Sequence, residues 1–223
     1  ITGNVGADIL TGGSGADNFA YTTTTDIRSG IAGASTASTS AKTDTIADFV
    51  AGTDNIVMTA TLSANVQTVD FTDKGDSASI SSGLALLSGV AGEYFFSTGT
   101  NQLVMDLDGN GMIQSTDLIV TMTDETGFAS TDMDLRINTG AVANTITTGG
   151  GNDIVIGSTD VDIIVTGAGN DYIDPAAGGD ADVMTGGAGN DTYVHRDNGA
   201  VDVYVETASN GTDTIYVPSS LTF

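Results

Sequence analysis

The sequence has no cysteine and no tryptophan, and only one histidine and two prolines in 223 residues. Without cysteine there can be no disulfide framework, no thiolate nucleophile and no zinc–thiolate site. The single imidazole, that of His195, cannot form a paired-histidine metal motif. The sequence also lacks any apolar run of about 18 residues, so it predicts no membrane-spanning helix. These absences exclude the usual thiol, zinc and membrane functions.

Positive charge is nearly as scarce. Lysine and arginine together number 5 against 29 acidic residues, which gives a net charge of −24. So few cations cannot neutralise phosphates or an anionic membrane surface, and this excludes nucleic acid and membrane partners. The repulsion among the carboxylates opposes compaction, so a folded chain needs cations from outside. Calcium is favoured over magnesium, because it accepts about six to eight oxygen ligands in loose geometry.

The acidic residues are almost all aspartate, with glutamate only at positions 93, 125 and 206. Aspartate competes for its own backbone, so it favours turns, helix caps and cation sites over helical surfaces. The hydrophobic fraction of 39% is too high for a disordered acidic tail. We therefore predict a folded, turn-rich core.

The last third of the chain is periodic. From Thr148 the segments read TGGGNDIVI, GSTDVDIIV, TGAGNDYID, AGGDADVMT and GGAGNDTYV. The sixth residue of each is aspartate, and an apolar residue follows two positions later. The chain begins with two similar segments, GNVGADILT and GGSGADNFA. A glycine-rich turn with a few extended residues cannot bury a core alone, so these units are expected to stack.

This pattern resembles the GGxGxDxUx nonapeptide of RTX proteins. The resemblance implies an all-β fold, a parallel β-roll in which two nonapeptides make one turn and apolar residues meet inside. It also implies several calcium ions bound between turns by aspartates and carbonyls. The residues that would hold calcium are Asp8, Asp17, Gly149, Gly151, Asp153, Asp162, Gly167, Gly169, Asp171, Asp182, Gly187, Gly189 and Asp191. A metal-free glycine-rich tract is the alternative, but it does not explain the recurring aspartate.

Segments beside the repeats carry a related resemblance. TDTIADFVAGTDNIVM, at 43–58, resembles the strands that close the β-roll in the C-terminal domain of serralysin-type secreted metalloproteases. The GTDTI step that contains Asp213 resembles the hairpin-like strand pair found behind RTX blocks. We predict that Ile46, Phe49 and Ile56 are core residues. Asp213 is a further candidate calcium ligand. Asp44, Asp48 and Asp54 are candidates too, although for these three the preferred interpretation is that they are turn residues on a solvated edge.

The middle of the chain contains a different candidate site. From Asp106 to Asp117, oxygen side chains occupy the ligand positions of an EF-hand-like calcium loop. The candidate ligands are Asp106, Asp108, Asn110, the carbonyl of Met112, and Asp117. The alternative is a simple D-G-N-G hairpin turn between two strands.

These observations divide the chain into 1–56 (RTX repeats with capping strands), 57–147 (a β-rich insertion with a short helix at 82–90) and 148–223 (RTX β-roll with a C-terminal strand pair). A loop is predicted from Thr22 to Lys42. The pattern is already present at Ile1, which suggests part of a longer protein.

We predict no catalytic residues and a calcium-dependent structural module of a secreted bacterial cell-surface protein, such as an S-layer protein or RTX adhesin. The alternative is the C-terminal secretion and folding module of an exported metalloprotease or lipase. The expected partners are calcium, the type I secretion machinery, and either further copies in a surface lattice or cell-surface polysaccharide.

Overall fold

The computed structural model describes residues 1–2, 7–22, 44–62, 68–113, 117–123, 125–139, 142–178, 180–196, 199–206 and 211–218. The loop predicted from Thr22 to Lys42 lies, apart from its first residue, outside this part of the chain. None of the described helices is long and apolar enough to cross a membrane.

Short strands dominate the described residues. In chain order they are β1 (Ile9–Leu10), β2 (Asn18–Thr22), β3 (Asp44–Ile46), β4 (Asn55–Thr61), β5 (Thr68–Asp70), β6 (Asp73–Ser77), β7 (Tyr94–Ser97), β8 (Gln102–Met105), β9 (Leu118–Met122), β10 (Met133–Asn138), β11 (Thr145–Thr147), β12 (Ile154–Ile156), β13 (Ile163–Ala168), β14 (Tyr172–Asp174), β15 (Val183–Ala188), β16 (Thr192–Val194), β17 (Val203–Val205) and β18 (Thr214–Tyr216). One short α-helix, α1 (Ile80–Leu84), and one 3-10 turn (Ser130–Asp132) complete the elements.

Two parallel sheets form a β-roll. The first, called here the long sheet, has the order β18-β16-β14-β12-β10-β4-β2, and the second, the short sheet, has the order β17-β15-β13-β11-β5. From β11 onward the chain alternates between them, and each strand is hydrogen-bonded in parallel to the strand two elements later. The predicted all-β fold with a parallel β-roll is therefore confirmed.

The repeat length explains why the apolar residues stack. In the long sheet Ile173 pairs with Val155 on one side and Tyr193 on the other, and in the short sheet Ile164 pairs with Met184. All five side chains are at most 1% exposed. Each side chain buried in this way stabilises the fold by about 1.5–3 kcal/mol. The apolar residue two positions after each repeat aspartate thus forms the core of the roll.

The middle segment adds a third sheet, called here the mixed sheet, in the order β1-β3-β9-β8-β7-β6. Strands β7, β8 and β9 are antiparallel, whereas the other pairs are parallel. Phe128 stacks on Phe49 and Phe96 at ring-centroid distances of 5.9 and 6.5 Å. One continuous buried cluster joins this region to the roll, and it includes the predicted core residues Ile46, Phe49 and Ile56.

Two details differ from the sequence prediction. The helix expected at 82–90 spans Ile80–Leu84, because Ser79 caps it by accepting a hydrogen bond from the backbone N–H of Ser82. The two C-terminal strands do not pair with each other as a hairpin: β17 extends the short sheet and β18 extends the long sheet. The segment behind the repeats therefore continues the roll. The long sheet takes strands from all three predicted segments, and the division into 1–56, 57–147 and 148–223 stays a prediction.

Candidate metal sites

The repeat aspartates before the long-sheet strands form a hydrogen-bonded ladder. The Oδ1 atom of Asp153 accepts from the backbone N–H of Leu135 at 2.7 Å. Asp171, Asp191 and Asp213 continue the series, each accepting from the N–H of the preceding ladder aspartate at 2.8, 2.9 and 3.0 Å. Asp153, Asp171, Asp191 and Asp213 are called here the first ladder. Stacking of identical turns places all four at one edge of the roll.

A second ladder lies before the short-sheet strands and consists of Asp162, Asp182 and Asp202. Its Oδ1 atoms accept from the N–H groups of Asn144, Asp162 and Asp182 at 2.8, 2.8 and 3.1 Å. Asp162 differs from the other two, because its Oδ2 also accepts from Ser158 N–H at 2.5 Å. Its repeat, GSTDVDIIV, has lost two glycines, and a backbone amide takes the position beside its second oxygen.

The same arrangement occurs at the N-terminal end. Asp44 and Asp54 accept through Oδ1 from the N–H groups of Asp8 and Asp17 at 2.9 and 3.0 Å. Both are buried, with 1% and 3% exposure, so the interpretation of Asp44 and Asp54 as solvated turn residues is wrong. Their segments lack the paired glycines that begin the nonapeptide, so the sequence did not reveal that they are equivalent to the repeat aspartates. Asp48 is half-buried and accepts from Gly12 and Gly13 N–H, and these amides lower the pKa of its carboxyl.

The second carboxylate oxygen of most ladder aspartates is buried without a partner. Among the described residues this holds for the Oδ2 atoms of Asp8, Asp17, Asp44, Asp153, Asp171, Asp191 and Asp202. A buried acceptor left unsatisfied costs about 1–3 kcal/mol, and more when it is charged. A native chain would not leave so many such atoms in register unless something else satisfied them. Regularly spaced, anionic oxygen donors are what Ca²⁺ prefers, so the residues present fit this ion.

The pKa values of these groups indicate the same requirement. Burial raises the pKa of Asp153 to about 8, and repulsion from Asp171 adds to the rise. Burial likewise raises the pKa of Asp171 and of Asp182 to about 6, and it raises that of Asp191. A carboxyl with such a pKa binds a proton at neutral or mildly acidic pH unless a cation balances its charge.

The repeat glycines allow the turns to approach closely. Gly151, Gly167, Gly169, Gly187 and Gly189 all have positive φ, which strains any residue with a Cβ. A Cβ on Gly167 or Gly169 would overlap the carbonyl oxygen of Gly149 or Gly151 in the preceding turn. Gly149 itself lies beside the carbonyl of Phe71, which would be 3.1 Å from an added Cβ. Glycine at these positions therefore lets the backbone of one turn approach the carbonyl groups of the preceding turn closely.

The sequence analysis missed an asparagine ladder. The N–H groups of Asn170, Asn190 and Thr212 each donate at 2.8 Å to the side-chain oxygen of Asn152, Asn170 and Asn190, respectively. These asparagines precede the first-ladder aspartates directly, and their recurrence at the fifth position of three repeats was the available signal. Asp202 was also missed, although it follows Asp191 by eleven residues and Tyr204 follows it by two, as in the repeats.

The EF-hand-like loop connects the antiparallel strands β8 and β9, whose closing pair is Met105 and Leu118. The two strands form a hairpin, but its connection is the whole segment 106–117 rather than the short D-G-N-G turn of the sequence prediction. Asp106, Asp108 and Asp117 each place one carboxylate oxygen within 4.8 Å of the others. Asp106 accepts from Gly109 and Gly111 N–H, both at 2.7 Å, and Asp117 accepts from Leu107 N–H at 3.0 Å. Asn110 accepts from Met112 N–H at 2.7 Å, and both of these residues are exposed. The carboxylates therefore already have backbone donors within the loop.

Comparison with known protein families gives two matches. A family model described as peptidase M10 serralysin C terminal matches residues 1–135. A second, described as RTX calcium-binding nonapeptide repeat (4 copies), matches residues 138–174 and 176–194. No curated protein and no solved structure matches the chain significantly. The predicted resemblance to both families is confirmed, and RTX nonapeptide repeats bind calcium.

Proposed function

Because the chain belongs to the serralysin C-terminal family of M10 peptidases and carries RTX calcium-binding repeats, we propose that it is a calcium-folded structural module of a bacterial cell-surface protein, of the S-layer or RTX adhesin type. These families are typical of secreted extracellular proteins. The observation that carries the proposal is the row of buried Oδ2 atoms that lack a partner. A catalytic role is not part of it.

The chain's own residues would act as a folding switch. Without a cation, charge repulsion and the desolvation of Asp153, Asp171 and Asp191 oppose stacking of the turns. Bound calcium supplies the positive charge that makes burial of these carboxylates favourable. Because the site exists only when turns are stacked, binding free energy becomes folding free energy. The roll would stay unfolded in the calcium-poor cytosol for type I export and would fold outside the cell.

The proposed ligands are the aspartates of both ladders and the N-terminal repeats, with the carbonyl groups of the repeat glycines. Asp202 joins the set predicted from the sequence, while Asp162 is a weaker member because Ser158 N–H already binds its second oxygen. Asp213 belongs to it as the last aspartate of the first ladder. The loop from Asp106 to Asp117 is proposed as a separate, weaker site, because backbone amides compete for its oxygens.

A second candidate is the C-terminal folding and secretion module of an exported enzyme. The match of residues 1–135 to a peptidase C-terminal family favours it. The two proposals share the calcium switch and differ in what is attached to the module. In a surface protein, further β-roll repeats would adjoin these residues, and the protein would self-associate into a lattice or bind cell-surface polysaccharide. In an exported enzyme, a catalytic domain would adjoin them.

The test is a calcium titration of the chain followed by far-UV circular dichroism and light scattering, with magnesium as control. We expect a cooperative gain of β signal with calcium alone. Ordered growth in particle size would favour the surface-lattice proposal, and a folded monomer would favour the enzyme module. A chain that is fully folded in chelator and unaffected by calcium would overturn the switch.

A further inference from the structure

We infer that Glu206, a residue outside the nonapeptide pattern, closes the last calcium site of the roll together with Asp191 and Asp213. This inference rests on the proposed calcium-dependent folding. One carboxylate oxygen from each of the three residues lies within 4.8 Å of the others. The three come from two successive turns, one before β16 and one between β17 and β18.

Register explains why a glutamate is placed there. Thr185 of β15 pairs with Val205 of β17, so Glu206 occupies the position that Gly186 occupies one turn earlier. Gly186 is the first residue of the repeat GGAGNDTYV. In that turn the space beside the glycine is filled by Asp191 Oδ2 and by the Tyr193 hydroxyl. The last turn replaces glycine with a carboxylate at the same position.

The cluster contains a buried oxygen that lacks a partner. Asp191 is 1% exposed, and among the described residues its Oδ2 atom has no hydrogen-bond donor. Its other oxygen accepts from the N–H of Asp171 at 2.9 Å, which fixes the orientation of the carboxylate. Asp191 Oδ2 lies next to Gly186, on the same side as the Tyr193 hydroxyl that donates to Glu206.

Tyr193 positions the glutamate. Its hydroxyl accepts a hydrogen bond from Gly186 N–H at 2.5 Å and donates one to Glu206 Oε1. The ring is fully buried and packs edge-on against Tyr204 at 5.4 Å between centroids, so the hydroxyl is held firmly. A fixed hydroxyl that orients a carboxylate is a typical outer partner of a metal ligand.

No positive side chain balances this charge among the described residues. The nearest basic group along the chain, Arg196, pairs with Asp174 at 2.5 Å instead. Three carboxylates this close repel one another unless a cation lies between them. Asp191 and Asp213 belong to the repeating ladder, whereas Glu206 gives this turn one carboxylate more than the turns before it. Calcium affinity rises with ligand charge, so we expect the last site to bind most tightly and to order the end of the roll.

The experiment compares Glu206→Gln with Glu125→Gln, which makes the same charge change outside the cluster. Isothermal titration with Ca²⁺ measures affinity and stoichiometry, and circular dichroism at saturating Ca²⁺ checks folding. We expect Glu206→Gln to weaken one class of site by about tenfold or more and to leave the other sites unchanged. Tyr193→Phe should weaken the same class, and the double variant should be no weaker than Glu206→Gln alone, because both changes act on one interaction.

Two results would overturn the inference and are distinguishable. If Glu206→Gln and Glu125→Gln bind calcium equally well while calcium still folds both, Glu206 is not a ligand and the folding switch stands. If the unaltered chain binds no calcium, the proposed function fails and the inference fails with it. If the effect of Tyr193→Phe adds fully to that of Glu206→Gln, Tyr193 does not position Glu206, but Glu206 remains a ligand.

Discussion

The C-terminal roll and the mixed sheet both bury carboxylates, but they neutralise them differently. In the mixed sheet Glu93 is fully buried, and it accepts from Ser88 N–H and Oγ at 2.5 and 2.6 Å and pairs with Lys74 at 2.7 Å. Burial alone would raise its pKa, but Lys74 and Ser88 outweigh burial and hold the pKa of Glu93 below its usual value. In the roll, Asp153 keeps an unpartnered Oδ2 and a raised pKa. The comparison indicates that Glu93 has its counter-charge within the protein, whereas the ladder carboxylates require theirs from outside.

The sharpest way to test this comparison is to remove calcium. With chelator we expect strands β12 to β18 to lose amide protection almost completely, because the ladder carboxylates then repel one another. Strands β7 to β9 should keep much of theirs. Hydrogen exchange with mass spectrometry, in calcium and in chelator, measures both regions in one sample. Equal loss in the two regions would show that the core they share makes them a single cooperative unit.

The next largest effect is expected from an added methyl group in the stacked turns. Gly169→Ala should destabilise the chain by about 3 kcal/mol, because strain at positive φ adds to overlap with the Gly151 carbonyl. Gly15→Ala is the matched control, since Gly15 holds the same repeat position at φ +117 with open space around it. It should cost only about 1 kcal/mol. Urea denaturation in saturating calcium checks both values, and equal costs would exclude close stacking at Gly169.

A smaller change tests the internal pairing in the mixed sheet. Lys74→Met should destabilise it by about 2 kcal/mol, because the fully buried Glu93 loses its cation while Ser88 still donates two hydrogen bonds. The loss should be the same with and without calcium. Thermal unfolding of the variant and the unaltered chain under both conditions measures it. A loss that calcium reverses would mean that the ion can replace the Lys74 charge beside Glu93.

The last test is the pH dependence of the calcium-free chain. The folded-state pKa of Asp153, about 8, lies above that of an unfolded aspartate, about 3.9, so between these values the folded state binds more protons. Stability should therefore fall as pH rises from about 4 to 8, by at most about 1.4 kcal/mol per pH unit for each such group. Far-UV circular dichroism of the calcium-free chain between pH 8 and 5 tests the sign, because the β signal should grow as the pH falls. Asp153→Asn should flatten the profile, and a β signal that grows as the pH rises would contradict the prediction.

Much of the roll could be predicted from the repeats. Aspartate at the sixth position and an apolar residue two positions later identified Asp171 and Ile173 as ladder and core residues, because a fixed period makes every stacked turn equivalent. Asp44, Asp54 and Asp202 lack the paired glycines that begin the nonapeptide, so only the structure showed that they accept hydrogen bonds in the same way as the repeat aspartates. The sequence could not predict that β17 and β18 extend different sheets, because the short segment that contains them also fits a hairpin.

By itself, the sequence determined the parallel β-roll, through the resemblance of its repeats to the RTX nonapeptide, and the need of its excess carboxylates for cations, through the net charge. Only the tertiary structure decided which carboxylates are internally paired. Asp153 and Glu93 are both buried acidic residues. Among the described residues the Oδ2 atom of Asp153 has no hydrogen-bond partner, whereas Glu93 pairs with Lys74 and accepts hydrogen bonds from Ser88. The sequence does not predict these partners, because Lys74 is distant from Glu93 in the chain and Ser88 is brought close to it only by the local fold. The tertiary structure likewise brought Glu206 to the end of the first ladder, since a position one full turn from Gly186 is defined by strand register rather than by sequence pattern.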